Sequence, residues 1–411
     1  MRDHFDFCGY CSPTSGEYFI GDVKYFYGED FRSVKRYKEY KNVGFTTLLL
    51  QHENAYRGEE FETSACNLCL TKAEKAGIDK VIVSDERIKE LCSLPVLIGE
   101  GGRFASEQEL LDYLDFCTKP YRNKSNFYGL QLFDEPCIEQ LKSYGKVSRG
   151  LRKIIPNVYL QCCLLPVTGK DYQAYKQNGD FDVYEQYLNV YVEESGDNGI
   201  LFDEYPFLRE YILGLYSLRT YQIGAKVCKE RGVELRAVLQ SFSHYSADHL
   251  IQRRVIEQDM YWQMNMALGF GCREYYYFTY FCKPVIRVVE DERLEKNTKI
   301  PIYKRGYPVG DAIDGATFIN RDGSRTKLYY YTKRIISEFK QFESIILPYS
   351  FENSYLFFEE GKNAQDFWQT RSAFVNTDCP IDVKVSHSVA LVTELKKDNG
   401  VMFMIENFPL K

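Results

Sequence analysis

Short apolar runs alternate with segments of helical periodicity along most of this chain of 411 residues, and this alternation constrains the fold most strongly. Such alternation requires parallel strands joined by right-handed crossovers, and eight strand–helix units close a barrel with the helices outside. No Gly-x-Gly-x-x-Gly turn follows the first strand, which disfavours an open doubly wound sheet. We therefore predict an α/β fold, a (β/α)8 TIM barrel, with strands at Phe5–Gly9, Phe45–Gln51, Lys80–Ser84, Phe127–Phe133, Val158–Leu165, Gly199–Phe202, Glu234–Gln240 and Tyr275–Tyr280.

Helical segments lie between these runs. A glycine commonly follows such a segment, in a place that suits a left-handed helix C-cap. The predicted helices are Asp30–Lys41, Ser64–Ala76, Ser106–Cys117, Val183–Glu194, Leu208–Arg231 and Ser324–Gln341, and the predicted caps are Gly44, Gly77, Gly199 and Gly232.

The pattern changes after residue 344, where the remaining chain reads as short strands. The Asp398-Asn399-Gly400 segment between the last two strands is typical of a tight hairpin turn. We predict a barrel over residues 1–344 and a small C-terminal β-domain over residues 345–411, with strands at Tyr355–Glu359, Val383–Val385, Ala390–Leu395 and Val401–Asn407.

Charge and cysteine content limit the partners. A net charge of −6 argues against nucleic acid, which requires a basic surface. No apolar run is long enough to cross a membrane, and the first residues do not resemble a secretory signal, so we expect a cytoplasmic protein. The 13 cysteines fit that compartment. The pairs Cys8/Cys11 and Cys66/Cys69 have zinc-like spacing, but buried structural thiols explain them better, and we expect no metal and no cofactor.

Active sites of such barrels form at the C-terminal ends of the strands, where this chain carries several acidic and polar residues. Carboxylates concentrate after the third, fourth and sixth strands. The residues we expect at the site are Asp85, Asp134, Glu135, Asp203, Glu204, Gln51, Asn54, Tyr205, Gln240, His244 and Tyr280. The polar side chains among them could bind sugar hydroxyls, and the tyrosines could stack on a sugar ring.

A set of carboxylates suits cleavage of a glycosidic bond. One carboxylic acid protonates the leaving oxygen while a second carboxylate attacks carbon or activates water. Asp134 and Glu135 lie among apolar residues, which favours a raised pKa. Since neighbouring strand residues point to opposite faces, we expect only one of the two in the pocket. The alternative is structural, with Asp-Glu-Pro beginning a helix.

Four segments occur in the order found in a known group of enzymes. Tyr128-Gly-Leu-Gln-Leu-Phe-Asp-Glu-Pro136 resembles the fourth-strand signature of clan A glycoside hydrolases, in particular the β-galactosidase-like barrels of gut bacteria related to family 42. Three further segments are similar to their sixth strand, to their last helix and strand, and to their closing helix. These are Ile200–Phe207, Gln263–Gly271 with Tyr275–Tyr280, and Lys327–Ile336.

The resemblance implies that Glu135 is the general acid/base. It also implies a carbohydrate substrate, and self-association is common among such barrels. The chain departs from the pattern at the seventh strand, where the nucleophilic Glu of clan A is replaced by Gln240. Asp203 or Glu204 could act as nucleophile or base, the reaction could invert through a bound water, or the barrel could bind carbohydrate without cleaving it. Asp203 is favoured over Glu204, because it matches the Asp of the similar proteins.

Two other enzyme classes fit the sequence less well. Metal-dependent barrel hydrolases need clustered histidines, whereas the five histidines here are scattered. Phosphate-binding barrels need a glycine-rich turn after the last strands, which this sequence lacks. Glycoside hydrolysis therefore remains the predicted activity.

Overall fold

A computed structural model describes residues 3–20, 23–26, 29–167, 181–208, 214–246, 249–281, 285–289, 307–309, 312–314, 317–320, 323–363, 378–386 and 388–408. Eight parallel strands close into a barrel in which each strand pairs with its neighbours along the chain. They are β1 (Asp6–Gly9), β2 (Thr47–Leu50), β3 (Lys80–Ser84), β4 (Phe127–Asp134), β5 (Tyr159–Leu164), β6 (Gly199–Glu204), β7 (Glu234–Gln240) and β8 (Glu274–Phe278). The predicted TIM barrel and its eight strands are confirmed.

Helices cover the outside of the barrel. They are α1 (Val34–Val43), α2 (Ala65–Lys75), α3 (Glu86–Ser93), α4 (Glu107–Thr118), α5 (Leu141–Ile154), α6 (Phe181–Ser195), α7 (Gly214–Arg231), α8 (Glu257–Gly269), α9 (Lys327–Gln341) and the short α10 (Glu343–Ile346). Side-chain oxygens of Ser33, Ser64, Asp85 and Ser106 accept backbone hydrogen bonds at the helix N-termini, as expected of N-caps. None of the helices in the described residues is long and apolar enough to cross a lipid bilayer.

Three of the four predicted glycine caps adopt left-handed backbone conformations, namely Gly44, Gly77 and Gly232. The prediction for Gly199 is wrong, because this residue begins β6 and the left-handed position after α6 belongs to Gly196. Gly199 serves another purpose. A Cβ atom there would lie 2.5 Å from Cζ of Arg236, so only glycine leaves room for that guanidinium inside the barrel.

Segments that follow β1, β7 and β8 add two small sheets. The strands Ser243–Ser246, His249–Gln252 and Ala312–Asp314 form one sheet. The strands Glu17–Ile20, Val23–Phe26, Val285–Val289 and Tyr307–Val309 form the other. These segments leave the C-terminal ends of barrel strands, so the additions belong to the end where barrel active sites form.

A separate antiparallel sheet ends the described chain. It contains β9 (Ser350–Phe358), β10 (Val389–Lys397) and β11 (Gly400–Phe408), and the predicted hairpin turn joins β10 to β11. The strand predicted at Val383–Val385 is wrong, since that segment has no regular structure. The sheet packs on α7 and α8, where Gln222 Nε2 donates a hydrogen bond of 3.0 Å to Ser354 Oγ. The domain boundary at residue 344 stays a prediction.

Candidate active site

The C-terminal ends of the barrel strands, called the barrel mouth below, bring three acidic side chains together. The pKa of Asp203 is raised well above its ordinary value, first by burial and then by the negative charges of Glu135, Asp134 and Glu204. Asp203 also shares a side-chain hydrogen bond with Glu135. Two carboxyl groups from β4 and β6, far apart in the sequence, are therefore in direct contact, and we call Glu135 and Asp203 the carboxyl pair.

The alternation of β6 determines which of its two acidic residues faces the mouth. Leu201 packs inside the barrel, whereas Ile200 and Phe202 pack among the outer helices. Asp203 continues the inward series and Glu204 the outward one. Glu204 is 2% exposed, and its Oε1 accepts a hydrogen bond of 2.9 Å from Ser217 Oγ on α7. Of the two rival predictions, the structure brings Asp203 to Glu135 and turns Glu204 towards a helix.

Strand β4 departs from simple alternation just before the site. A register shift between Gln131 and Phe133 marks a β-bulge, after which Asp134 pairs with Cys163 of β5. The backbone of Glu135 is left-handed, with φ of +50°, and its N–H donates to Cys163 O at 2.7 Å. The charges of both acidic residues act on Asp203. The expectation that only one of them faces the pocket stays a prediction.

Asp134 differs from Asp203 in its access to water. The side chain of Asp134 is exposed, whereas Asp203 is buried and only 7% exposed. The surrounding protein nevertheless removes part of its hydration, which raises the pKa of Asp134, while the charge of Lys89 opposes this rise. The negative charge of Asp134 contributes to the raised pKa of Asp203.

An aromatic wall lies next to the carboxyl pair. The rings of Tyr205 and Phe242 meet edge to face at 4.9 Å, and Phe278 lies 5.3 Å from Phe242. Burial and the charge of Asp203 raise the pKa of Tyr205, so its ring lies close to the pair. Such a wall suits the apolar face of a sugar ring. Tyr205 was predicted, but Phe242 and Phe278 were missed, although the inward phase of β8 indicates Phe278.

Two hydrogen-bonded pairs of side chains lie inside the barrel, on β4 and β5 and just after β1 and β2. Gln51 Nε2 donates to Gln131 Oε1 at 2.9 Å, and Gln161 Nε2 donates to Tyr10 Oη at 2.8 Å. Burial and the charges of Cys163 and Asp134 raise the pKa of Tyr10, which places its ring near the mouth. Gln51 was predicted as a site residue; Gln131, Gln161 and Tyr10 complete its surroundings.

Three other predicted site residues have structural partners instead. Asp85 is fully buried, caps α3 and forms an ion pair with Arg87 at 2.7 Å, while Tyr121 Oη donates to it at 2.9 Å. Gln240 Oε1 accepts from Phe207 N at 3.0 Å and its Nε2 donates to backbone carbonyls. Asn54 Nδ2 donates to Pro13 O at 3.0 Å. These contacts hold loops in place, so the structure does not bring the three residues to the carboxyl pair.

The last two predicted residues are Tyr280 and His244. Tyr280 is 1% exposed and packs on Tyr40 and Phe318, between the barrel and its outer elements. This packing leaves no face of its ring for a sugar. His244 lies on the strand Ser243–Ser246, and its side chain is outside the described part of the structure.

Comparisons with known proteins return structural similarity alone. No family model and no curated protein matches this chain. Among solved structures, a β-galactosidase from Marinomonas ef1 aligns with 76% of this chain and 58% of its own at 10% identity and a TM-score of 0.47. A β-glucuronidase from an uncultured Clostridium sp. aligns with 82% of this chain and 50% of its own at 9% identity and a TM-score of 0.44.

A glycoside hydrolase family 53 catalytic domain from Ignisphaera aggregans aligns with 82% of this chain and 97% of its own, at 10% identity and a TM-score of 0.44. The chain thus spans 58% and 50% of the length of the first two enzymes. At these identities no site residue is carried over from any of them. The resemblance to clan A barrels is confirmed for the fold, by the closed eight-stranded barrel.

Proposed function

We propose that this protein hydrolyses glycosidic bonds and that Glu135 and Asp203 carry the reaction. The observation that supports this is their contact at the barrel mouth, where burial and neighbouring carboxylates raise the pKa of Asp203 well above its ordinary value. The raised pKa of Asp203 favours a state in which the two carboxyl groups share one proton. One protonated and one ionised carboxyl is the combination that glycosidic cleavage requires.

The position of the shared proton decides which member of the carboxyl pair acts as the acid. The resemblance gives the acid role to Glu135, with Asp203 as nucleophile or base. Burial instead favours the proton on Asp203, because Asp203 is buried and Glu135 is exposed. The two assignments differ in one measurable respect. A variant that lacks the acid still cleaves substrates with a good leaving group, whereas a variant that lacks the nucleophile or base does not.

The contact also bears on stereochemistry. Retaining enzymes separate their carboxyl groups by about 5–5.5 Å, and inverting enzymes by about 6.5–9.5 Å to hold a water. A pair in hydrogen-bonding contact is nearer to the retaining arrangement. We therefore expect retention of anomeric configuration, which NMR of the first product formed would detect.

The test compares Glu135→Gln and Asp203→Asn with Glu204→Gln on a panel of aryl glycosides with leaving groups of differing pKa. We expect the first two variants to lower kcat/KM by about 10²–10⁴-fold, with the acid variant recovering on the best leaving groups. Glu204→Gln is the control, because it lies on the same strand but faces α7. An unchanged rate in either pair variant removes that residue from the mechanism. Sugar binding without turnover by the wild type would establish the alternative, a carbohydrate-binding barrel.

A further inference from the structure

A cysteine and a histidine meet at the barrel mouth, outside the carboxyl pair. Cys11 Sγ lies 3.7 Å from His52 Nε2, within the range of a sulfur hydrogen bond. Cys11 follows β1 and His52 follows β2, and these strands are neighbours in the barrel. The thiol therefore lies on the same end of the barrel as Glu135 and Asp203.

Contacts between the two loops hold this Cys–His pair in place. Asn54 Nδ2 donates to Ser12 Oγ at 3.3 Å and to Pro13 O at 3.0 Å. The hydroxyl of Thr14 donates to the Glu53 carboxylate. Every residue from 11 to 14 on the first loop thus has a partner between residues 52 and 54 on the second.

The backbone at both members of the pair supports the same conclusion. Cys11 has φ of +54° and His52 has φ of +53°, in the left-handed region that side chains other than glycine rarely adopt. The N–H of Phe281 also donates to Cys11 O at 3.1 Å. Three loops of the mouth therefore determine where the thiol and the imidazole meet.

The other described cysteines have different surroundings. Nine of them are buried, and burial raises the pKa of each thiol, which keeps it neutral and unreactive. Cys11 is partly exposed, as are Cys137 and Cys379. An adjacent imidazole is the feature that Cys11 adds, and it activates a thiol by accepting its proton.

We propose that Cys11 is a modification site, activated by His52, that exchanges with low-molecular-weight disulfides. The Cys11 thiol transfers its proton to His52 Nε2, and the thiolate attacks one sulfur of the disulfide. A new S–S bond to Cys11 forms as the original S–S bond breaks, and the departing thiolate takes the proton from the imidazolium. The disulfide is the oxidant, so the exchange needs no further reactant.

The adduct has a consequence that rests on the proposed function. It stands on the rim of the barrel mouth, beside Tyr10, whose ring interacts with Asp134. A bulky group at this position obstructs the approach of a glycoside to the carboxyl pair. Modification would therefore lower turnover, and reduction with dithiothreitol would restore it.

The test treats the whole protein with glutathione disulfide near pH 7 and follows each cysteine by peptide mass spectrometry. Cys137, partly exposed like Cys11, is the internal reference. We expect Cys11 to form the mixed disulfide about tenfold faster than Cys137. Equal rates in the wild type would overturn the proposal without any variant.

Two variants sharpen the result. His52→Asn removes the base and suits a left-handed backbone, which Asn tolerates. It should reduce the rate at Cys11 to that of Cys137, whereas a rate equal to wild type would contradict activation by His52. Cys11→Asn should keep its turnover after treatment. If the adduct forms but turnover is unchanged, the proposed obstruction of the barrel mouth is refuted, while the modification of Cys11 stands. If the wild type cleaves no glycoside, the proposed function fails, but the mass-spectrometric test of Cys11 is unaffected.

Discussion

The two ends of the barrel both bury acidic side chains, but they treat them differently. At the N-terminal end, Glu274 Oε2 lies 3.1 Å from Arg236 Nε, and the hydroxyls of Tyr159 and Tyr276 donate to Glu274 Oε1 at 2.7 and 2.5 Å. We call these four residues the basal network. At the mouth, the neighbours of Asp203 are three further carboxylates. At one end a cation compensates the buried acid, and at the other end like charges surround it.

This difference separates a structural role from a functional one. Buried charge is tolerated when it is paired and hydrogen-bonded, as in the basal network. An acidic side chain among like charges costs folding free energy, and such arrangements are concentrated at sites where a raised pKa is used. The mouth therefore has the electrostatics that the proposed function requires, and the base of the barrel has those of a structural support.

The largest expected effect on stability comes from breaking the basal network. Arg236→Met removes the cation and leaves Glu274 buried without its charge partner. Loss of one partner of a buried pair costs about 3–5 kcal/mol in the free energy of unfolding, measurable by denaturant titration. A double variant, Arg236→Met with Glu274→Gln, is the control, because it removes both charges. A loss in the single variant below about 1 kcal/mol would show that the network is not a support.

At the mouth we expect a substitution to raise the free energy of unfolding instead of lowering it. Because folding raises the pKa of Asp203, the folded state binds its proton more tightly than the unfolded chain, and stability falls as pH rises from the unfolded pKa to the folded one. Asp203→Asn removes this cost. We expect it to raise the free energy of unfolding by about 0.5–2 kcal/mol at neutral pH, while activity is lost.

The same variant has a diagnostic pH dependence. Below the unfolded pKa, about 3.9, Asp203 is protonated in both states, so the stabilisation by Asn should vanish there. Tm measured from acid to neutral pH follows this change. A gain that is independent of pH would mean that packing, and not charge, explains the effect.

The fold followed from the sequence because the strand signal is local. Each barrel strand is a short apolar run, and its parity shows which side chains face inward. That parity also indicates Asp203 over Glu204, since Leu201 and Asp203 share a face. The predicted strand at Val383–Val385 failed because apolar residues alone do not provide a pairing partner.

The site was harder to predict because it depends on local irregularities and on partners distant in sequence. The bulge in β4 and the left-handed backbone of Glu135 interrupt the regular alternation of side chains along the strand. No residue in Phe133-Asp134-Glu135 indicates either feature in the sequence. Asp85 was predicted as a site residue, but its carboxylate is bound by Arg87 and Tyr121, which the sequence does not indicate. Tyr280 likewise packs against a ring more than two hundred residues away, Tyr40.

The smallest expected effect separates the two faces of β6. Glu204→Gln keeps an acceptor for Ser217 Oγ and removes one of the three negative charges that raise the pKa of Asp203. The high-pH limb of the rate profile, where the carboxyl pair loses its proton, should therefore move to lower pH. We expect kcat/KM at its optimum to change by less than about threefold, against about 10²–10⁴-fold for the pair variants.

Ser217→Ala is the matched control, since it removes the hydrogen bond to Glu204 but keeps the charge, and it should not move the high-pH limb to lower pH. A loss in Glu204→Gln as large as in Glu135→Gln would place Glu204 in the reaction and erase the distinction between the mouth and the helix-facing side.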